Sequence, residues 1–128
     1  MKGNQDNKIS KEDAEQFDLL YPMLRSVYEE MKEFSKKKQD GTLNAVKVKM
    51  TNRLLTKIKT LLANHPAVEF LDLLDDQVLP TNSDAVLIIA HFKSAMEQYR
   101  QKHHGYIKGI GDRWFTPDND ESTTEDLF

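Results

Sequence analysis

Apolar residues recur every three or four positions along most of this chain, and this spacing restricts its fold more than any other feature. Side chains at that spacing share one face of an α-helix, so each stripe predicts an amphipathic helix. The first stripe consists of Phe17, Leu20, Tyr21, Leu24, Tyr28 and Met31. Ser10 and Asp13 precede it as an approximate capping box. Pro22 removes one backbone hydrogen bond, and because the apolar phase continues past it, we expect a kink there.

Three more stripes follow, separated by residues that favour turns. The fourth stripe contains a run at residues 86–89 that could form a strand, but a single strand has no partner, so a helix is expected. Asn82 or Ser83 is expected to cap this helix, and Gly105 to end it. The second stripe is Leu43, Val46, Met50, Leu54, Ile58 and Leu61. The third, shorter stripe is Val68, Leu71, Leu74 and Val78. The fourth is Ala85, Ile88, Ile89, Phe92, Met96, Tyr99 and His103.

Four stripes with short connections favour antiparallel packing of neighbouring helices. The predicted fold is all-α: a small up-and-down helical bundle of three long helices plus one short helix, with a disordered acidic C-terminal tail. We expect a disordered N-terminus at residues 1–9, the bundle at 10–111 and the acidic tail at 112–128. An oligomer, such as a homodimer, remains open because wide apolar stripes often pair across a two-fold axis.

Composition excludes several classes of protein. The longest apolar run, residues 85–90, is far shorter than the roughly 18 residues that a transmembrane helix needs, so no membrane span is expected. The N-terminal residues lack the apolar core of a secretory signal, which favours a cytoplasmic location. The chain has no cysteine, so disulfides, thiolate catalysis and cysteine zinc sites are excluded. No cofactor is predicted.

Charge is segregated along the chain. Residues 32–65 contain nine basic and two acidic residues, whereas residues 66–90 contain five acidic and no basic ones. Lys49, Arg53 and Lys57 are spaced by four and therefore form one stripe on the second helix. The basic residues expected to bind a polyanion or an acidic partner are Lys36, Lys37, Lys38, Lys49, Arg53 and Lys57. A solvated helix face is the simpler interpretation of the same pattern.

The C-terminal segment combines acidic residues with a terminal aromatic residue. DNDESTTEDLF, residues 118–128, resembles the acidic tips of bacterial and phage single-stranded DNA-binding proteins, although it lacks the usual preceding proline and no OB-fold pattern accompanies it. The resemblance implies docking of the terminal Phe in a basic partner pocket. The tail could also fold over the basic residues and compete with a polyanion. The residues expected in tail docking are Trp114, Phe115, Glu125, Asp126, Leu127 and Phe128.

Catalytic and metal-binding patterns are weak. The four histidines, His65, His91, His103 and His104, show no HxxxH or HExxH spacing, so no metal site is predicted. Arg100 with His103 or His104 resembles the Arg and His pair of helical HEPN ribonucleases, but the two residues are closer together here than in that family. The resemblance would imply a cation and a base beside a scissile phosphate.

We therefore expect a non-enzymatic helical protein-interaction module, an adaptor or regulator that binds a protein partner through a bundle face or through its acidic tail. Two alternatives remain. One is a nucleic-acid-binding accessory protein that uses the basic patch for weak, salt-sensitive contacts with phosphates. The other is a HEPN-like ribonuclease that uses Arg100 with His103 or His104.

Overall fold

The computed structural model describes residues 7–119 and shows a mostly helical bundle with a small antiparallel hairpin. The described elements are α1 (Lys11–Lys37), α2 (Ala45–Leu61), a 3₁₀ helix (Pro66–Phe70), α3 (Asn82–His103), β1 (His104–Ile107) and β2 (Gly111–Trp114). The predicted helical bundle is thus confirmed in outline. None of the helices within residues 7–119 is long and apolar enough to cross a membrane.

Helix α1 is one helix of 27 residues that continues through Pro22. The Ser10 hydroxyl accepts a hydrogen bond from the Asp13 N–H at 3.0 Å, as a helix N-cap does. The proline ring is exposed, and the buried positions continue in phase on both sides of it. The buried residues of α1 are Ala14, Phe17, Leu20, Leu24 and Met31.

Helix α2 exists where predicted, but its buried face differs from the predicted stripe. Val46 and Met50 are 66% and 63% exposed. Apolar side chains occupy two faces of this helix, so the spacing alone fits either face, and packing against α1 and residues 71–74 decides which one is buried. The buried residues of α2 are Val48, Thr51, Leu54, Leu55 and Ile58.

The prediction of a short helix from Val68 to Val78 was wrong. Only the 3₁₀ helix forms, and the chain beyond it is non-helical. The side-chain amide of Asn52 donates to the Leu74 carbonyl and accepts from the Leu74 N–H, both at 2.8 Å. These bonds take the place of the hydrogen bonds that Leu74 would make in a helix, because each residue has a single backbone N–H to donate. Leu71 and Leu74 are buried, whereas Val78 is exposed.

Helix α3 begins beside the connection between α1 and α2. Its N-cap is Thr81 rather than Asn82 or Ser83, since the Thr81 hydroxyl accepts from the Asp84 N–H at 3.1 Å. An isolated bridge pairs Thr42 with Thr81, so α2 and α3 start at the same end of the bundle. The segment between them, residues 62–81, therefore runs back along the bundle, where a short helix would lie in an up-and-down arrangement, and we call it the return segment. The run at residues 86–89 is helical, as predicted.

A hairpin follows α3 in a region that the sequence left without periodicity. Strands β1 and β2 pair antiparallel, and Gly109 in the turn and Gly111 at the start of β2 both have positive φ. The Trp114 ring contacts Phe17 edge-on at 4.8 Å between centroids, and its Nε1–H donates to the Asp18 carboxylate at 3.2 Å. The boundary predicted between residues 111 and 112 therefore falls inside β2.

The N-terminal boundary also differs from the prediction. The Ile9 N–H donates to the Phe115 carbonyl at 2.8 Å, so Ile9 is attached to the chain directly after β2. Ile9 is partly buried against the core. The predicted disordered tail falls largely outside the described residues, and Glu125, Asp126, Leu127 and Phe128 lie there.

Candidate functional sites

The outward-facing side of α2 carries an exposed strip of apolar and basic side chains. We call Val46, Met50, Arg53 and Lys57 the outer α2 strip. Their spacing of four, three and four residues places them on one side of the helix. All four are exposed, and Lys49, also exposed, lies beside them. Two well-exposed apolar side chains thus stand next to two cations on a single helix face.

No side chain in the described part of the chain forms an ion pair with the cations of this strip. Helix α2 contains five basic residues and no acidic one. Within residues 7–119, none of Lys49, Arg53 and Lys57 takes part in an ion pair, whereas Lys36 pairs with Glu33 at 3.0 Å. Uncompensated cations on one face attract an anionic partner and raise its rate of association.

The six basic residues singled out from the sequence fall into two groups. Lys49, Arg53 and Lys57 share the outward side of α2, while Lys36 and Lys37 are in the last turn of α1 and Lys38 caps it. All six are exposed. The Lys38 carbonyl accepts a hydrogen bond from the Asn82 side chain at 2.8 Å, so this residue also ties α1 to α3.

The aromatic residues expected in the tail belong to the folded body. Trp114 packs against Phe17 and lies 5.0 Å from the His104 ring, between centroids. Phe115 is partly buried, and its N–H donates to the His103 carbonyl at 2.7 Å. Their hydrogen bonds and ring contacts anchor the hairpin to α1 and α3.

A second site lies between the start of α1, the end of α2 and the end of α3. It is a cavity of about 360 Å³, and we call it the histidine pocket. Ring centroids of His65 and His103 lie 6.2 and 4.6 Å from that of Tyr99. The residues of this pocket that bear on its chemistry are Lys8, Asp13, His65, Tyr99, Lys102 and His103. Its size is within the range of small-molecule sites.

The two imidazole rings are held as complementary tautomers by their backbone partners. His65 Nδ1 accepts from the Ala67 N–H at 3.1 Å, so the proton of the neutral ring is on Nε2. His103 Nδ1 lies 2.6 Å from the Asn7 carbonyl oxygen, which can only accept, so the proton is on Nδ1 and Nε2 has a lone pair. These tautomers are assigned from the hydrogen-bond partners. One ring offers a donor and the other an acceptor.

Burial and a shared cation disfavour the charged form of both rings. The pKa of His65 and of His103 is lowered chiefly by burial, and the positive charge of Lys102 lowers both further. Burial also raises the pKa of Tyr99 to about 12, helped by the charge of Asp13, so its hydroxyl stays protonated. Four residues that can carry positive charge, Lys8, His65, Lys102 and His103, therefore line one cavity, and the charge of Lys102 disfavours protonation of both rings.

The histidine pocket does not contain Arg100. Burial lowers the pKa of His104, and the charge of Arg100 lowers it further. Among residues 7–119 no group of three metal-ligating side chains occurs. Arg100 lines a different cavity together with Tyr21 and Glu97. His103 lines the histidine pocket. His104 lies in β1 against Trp114. The structure therefore does not bring Arg100 together with His103 at one site.

Sequence reasoning did not find the histidine pocket. His65 is 38 positions before His103, and the two meet only because α2 and α3 end at the same side of the bundle. Asn64 and Pro66 around His65 indicated only a helix end. Comparison with known proteins gives no match to a protein-family model, a curated protein or a solved structure.

Proposed function

We propose that this protein is a non-enzymatic interaction module that binds an acidic, amphipathic segment of a partner protein along the outer α2 strip. The observation that carries the proposal is the exposure of Val46 and Met50 on the same helix face as two cations that form no ion pair within residues 7–119. Helix-in-groove and helix-on-helix recognition uses anchors with this spacing.

The apolar pair supplies affinity, and the cations supply selectivity. Burying an exposed Val or Met side chain contributes about 1.5–3 kcal/mol, of which binding keeps only part after the ordering costs. Arg53 and Lys57 favour carboxylates on the partner and disfavour basic segments. Apolar anchors beside acidic residues are therefore the chemistry that fits this face.

Binding of a nucleic acid is the second interpretation of the same cations. Lys49, Arg53 and Lys57 can contact phosphates, and such binding would weaken steeply with salt. Val46 and Met50 favour the protein partner, because a phosphate backbone offers no apolar surface to cover them. The contribution of Val46 and Met50 to binding therefore distinguishes a protein partner from a nucleic-acid partner.

A site-specific crosslinking experiment tests the proposal. A photo-reactive phenylalanine analogue is placed at Met50, and a matched control carries it at Leu87, an exposed apolar residue of α3. Both chains are irradiated in native lysate, and crosslinked material is identified by mass spectrometry. We expect a protein crosslink from position 50 alone, on a partner segment rich in Asp, Glu and large apolar residues.

Variants of the strip decide which part of it is used. Arg53→Glu with Lys57→Glu, and separately Val46→Ser, should each reduce the crosslink at least about tenfold, while Arg100→Glu on α3 should not. Nucleic acid crosslinked at position 50, with no effect of Val46→Ser, would favour a nucleic-acid partner. Equal crosslinking from positions 50 and 87 would refute both.

Docking through the acidic tail is a separate proposal. A chain that ends at Asn119 keeps every described contact and removes Glu125, Asp126, Leu127 and Phe128. If the tail docks to a partner, this shorter chain loses that partner while its crosslink at Met50 is unchanged. If the tail covers the outer α2 strip, the shorter chain crosslinks more strongly instead.

A further inference from the structure

The geometry points to the histidine pocket as a binding site for a small phosphate monoester, whose phosphate group is held by Lys102, His65 and His103. This site is separate from the outer α2 strip and does not depend on the proposed interaction function. Its ligand is a metabolite-sized molecule that carries one phosphate and at least one hydroxyl group.

The positions of the donors carry the first step. His65 and His103 both contact the ring of Tyr99 from within one cavity, and Lys102 is the residue before His103 at the end of α3. His65 presents Nε2–H, because its Nδ1 is occupied by the Ala67 N–H. Lys102 and His65 line this cavity, and an ammonium group and an N–H donor are the usual partners of phosphate oxygens.

The electrostatics of the cavity carry the second step. Lys102 disfavours the protonation of His65 and His103, and His103 also disfavours that of His65. A dianion between these groups would relieve the repulsion and allow the imidazole rings to take up protons. Phosphate binding and proton uptake are therefore coupled, and affinity for an anion should increase as pH falls.

Asp13 indicates that the ligand is an ester rather than a free anion. Its side chain lines the same cavity, its charge favours protonation of His103, and it would repel a bare phosphate. A carboxylate accepts hydrogen bonds from hydroxyl groups, so the alcohol part of a monoester would lie on the Asp13 side. A cavity of about 360 Å³ accommodates a phosphate together with a small polyol or sugar.

Calorimetric titration of the full chain with two probes tests the site. Sulfate keeps its charge between pH 5.5 and 8, so its pH dependence reports protons taken up by the protein. We expect sulfate to bind about tenfold more tightly at pH 5.5 than at pH 7.5. At pH 7.5, glycerol 3-phosphate should bind more tightly than inorganic phosphate.

Variants assign the binding to these residues. Lys102→Gln changes an exposed side chain and should weaken glycerol 3-phosphate at least about tenfold. Asp13→Asn should tighten inorganic phosphate and remove the preference for the ester. His91→Gln, at an exposed histidine of α3, is the matched control and should bind as the unmodified chain does.

Imidazole NMR spectra give an independent readout that does not require a histidine substitution. Saturating glycerol 3-phosphate should shift the His65 and His103 resonances and move their titration to higher pH, with His91 unchanged. Binding that is equal in the Lys102→Gln chain, or ligand shifts at His91 with none at His65 and His103, would overturn the proposal. So would the absence of heat and of shifts with both probes.

Discussion

The two faces of α2 differ in burial although both carry large apolar side chains. Met50 and Val46 on the outward face are mostly exposed, while Leu55 and Ile58 on the inward face are fully buried. The amphipathic stripe that the sequence suggested contains residues from both faces. Which residues of this helix are buried therefore depends on which side packs against α1 and residues 71–74. The apolar residues on the other side stay exposed and can contact a partner.

The largest expected effect comes from the inward face. Ile58→Ala removes a fully buried side chain and leaves a cavity, and we expect a loss of about 2–5 kcal/mol in the free energy of unfolding. Met50→Ala is the matched control on the outward face and should change it by less than about 0.5 kcal/mol. Urea unfolding of both chains measures the difference. Similar losses for the two variants would contradict the assignment of the faces.

The next effect concerns the edge of α2 that holds the return segment. Asn52→Ala removes both hydrogen bonds to Leu74 and leaves a partly buried backbone amide without its partners. We expect a loss of about 1–3 kcal/mol. Hydrogen exchange should show faster exchange of the Leu74 amide. Asn44→Ala, a cap substitution at the start of the same helix, is the control that should leave Leu74 protected.

We expect the loss of folding stability in acid to arise from His65, His103 and His104 and not from the outward face of α2. Burial lowers the pKa of His65, His103 and His104 in the folded chain, so the unfolded chain binds more protons as pH falls. Stability is thus fully present above about pH 6.5, the ordinary histidine value, and decreases as pH falls through the lowered values. Urea midpoints at pH 7.5 and 5.5 measure this decrease.

A histidine substitution sharpens this comparison. His104→Gln removes one of the three groups and should reduce the loss of stability between pH 7.5 and pH 5.5. Arg53→Gln, on the outward face of α2, is the control and should leave that loss unchanged. An identical loss in the His104→Gln chain would assign the acid sensitivity to other groups.

The smallest expected effect on stability is that of the strip itself. Val46→Ser with Met50→Ser should change the free energy of unfolding by no more than about 0.5 kcal/mol per site, because both side chains are already exposed. The same change at Val48, which is buried, should be strongly destabilising. Thermal unfolding of the two chains compares them. A large loss from the double variant would show that the strip is covered in solution, for example by a second copy of the chain.

Several elements followed from local sequence, and several did not. The start of α1 was predicted because Ser10 and Asp13 form a local cap, and α3 because its periodicity persists for many turns. The return segment was mistaken for a helix because Asn52, far away in sequence, provides the partners of Leu74. The hairpin was missed because its strands are only four residues long and pair with each other around two glycines.

The sequence by itself determined the helical class, the positions of the three long helices and the concentration of basic residues on α2, because periodicity, caps and composition are local properties. Only the tertiary structure decided which face of α2 is buried and that His65, Tyr99 and His103 share one cavity. Such convergence depends on where distant segments end in space, and one chain's residue spacing contains no information about that.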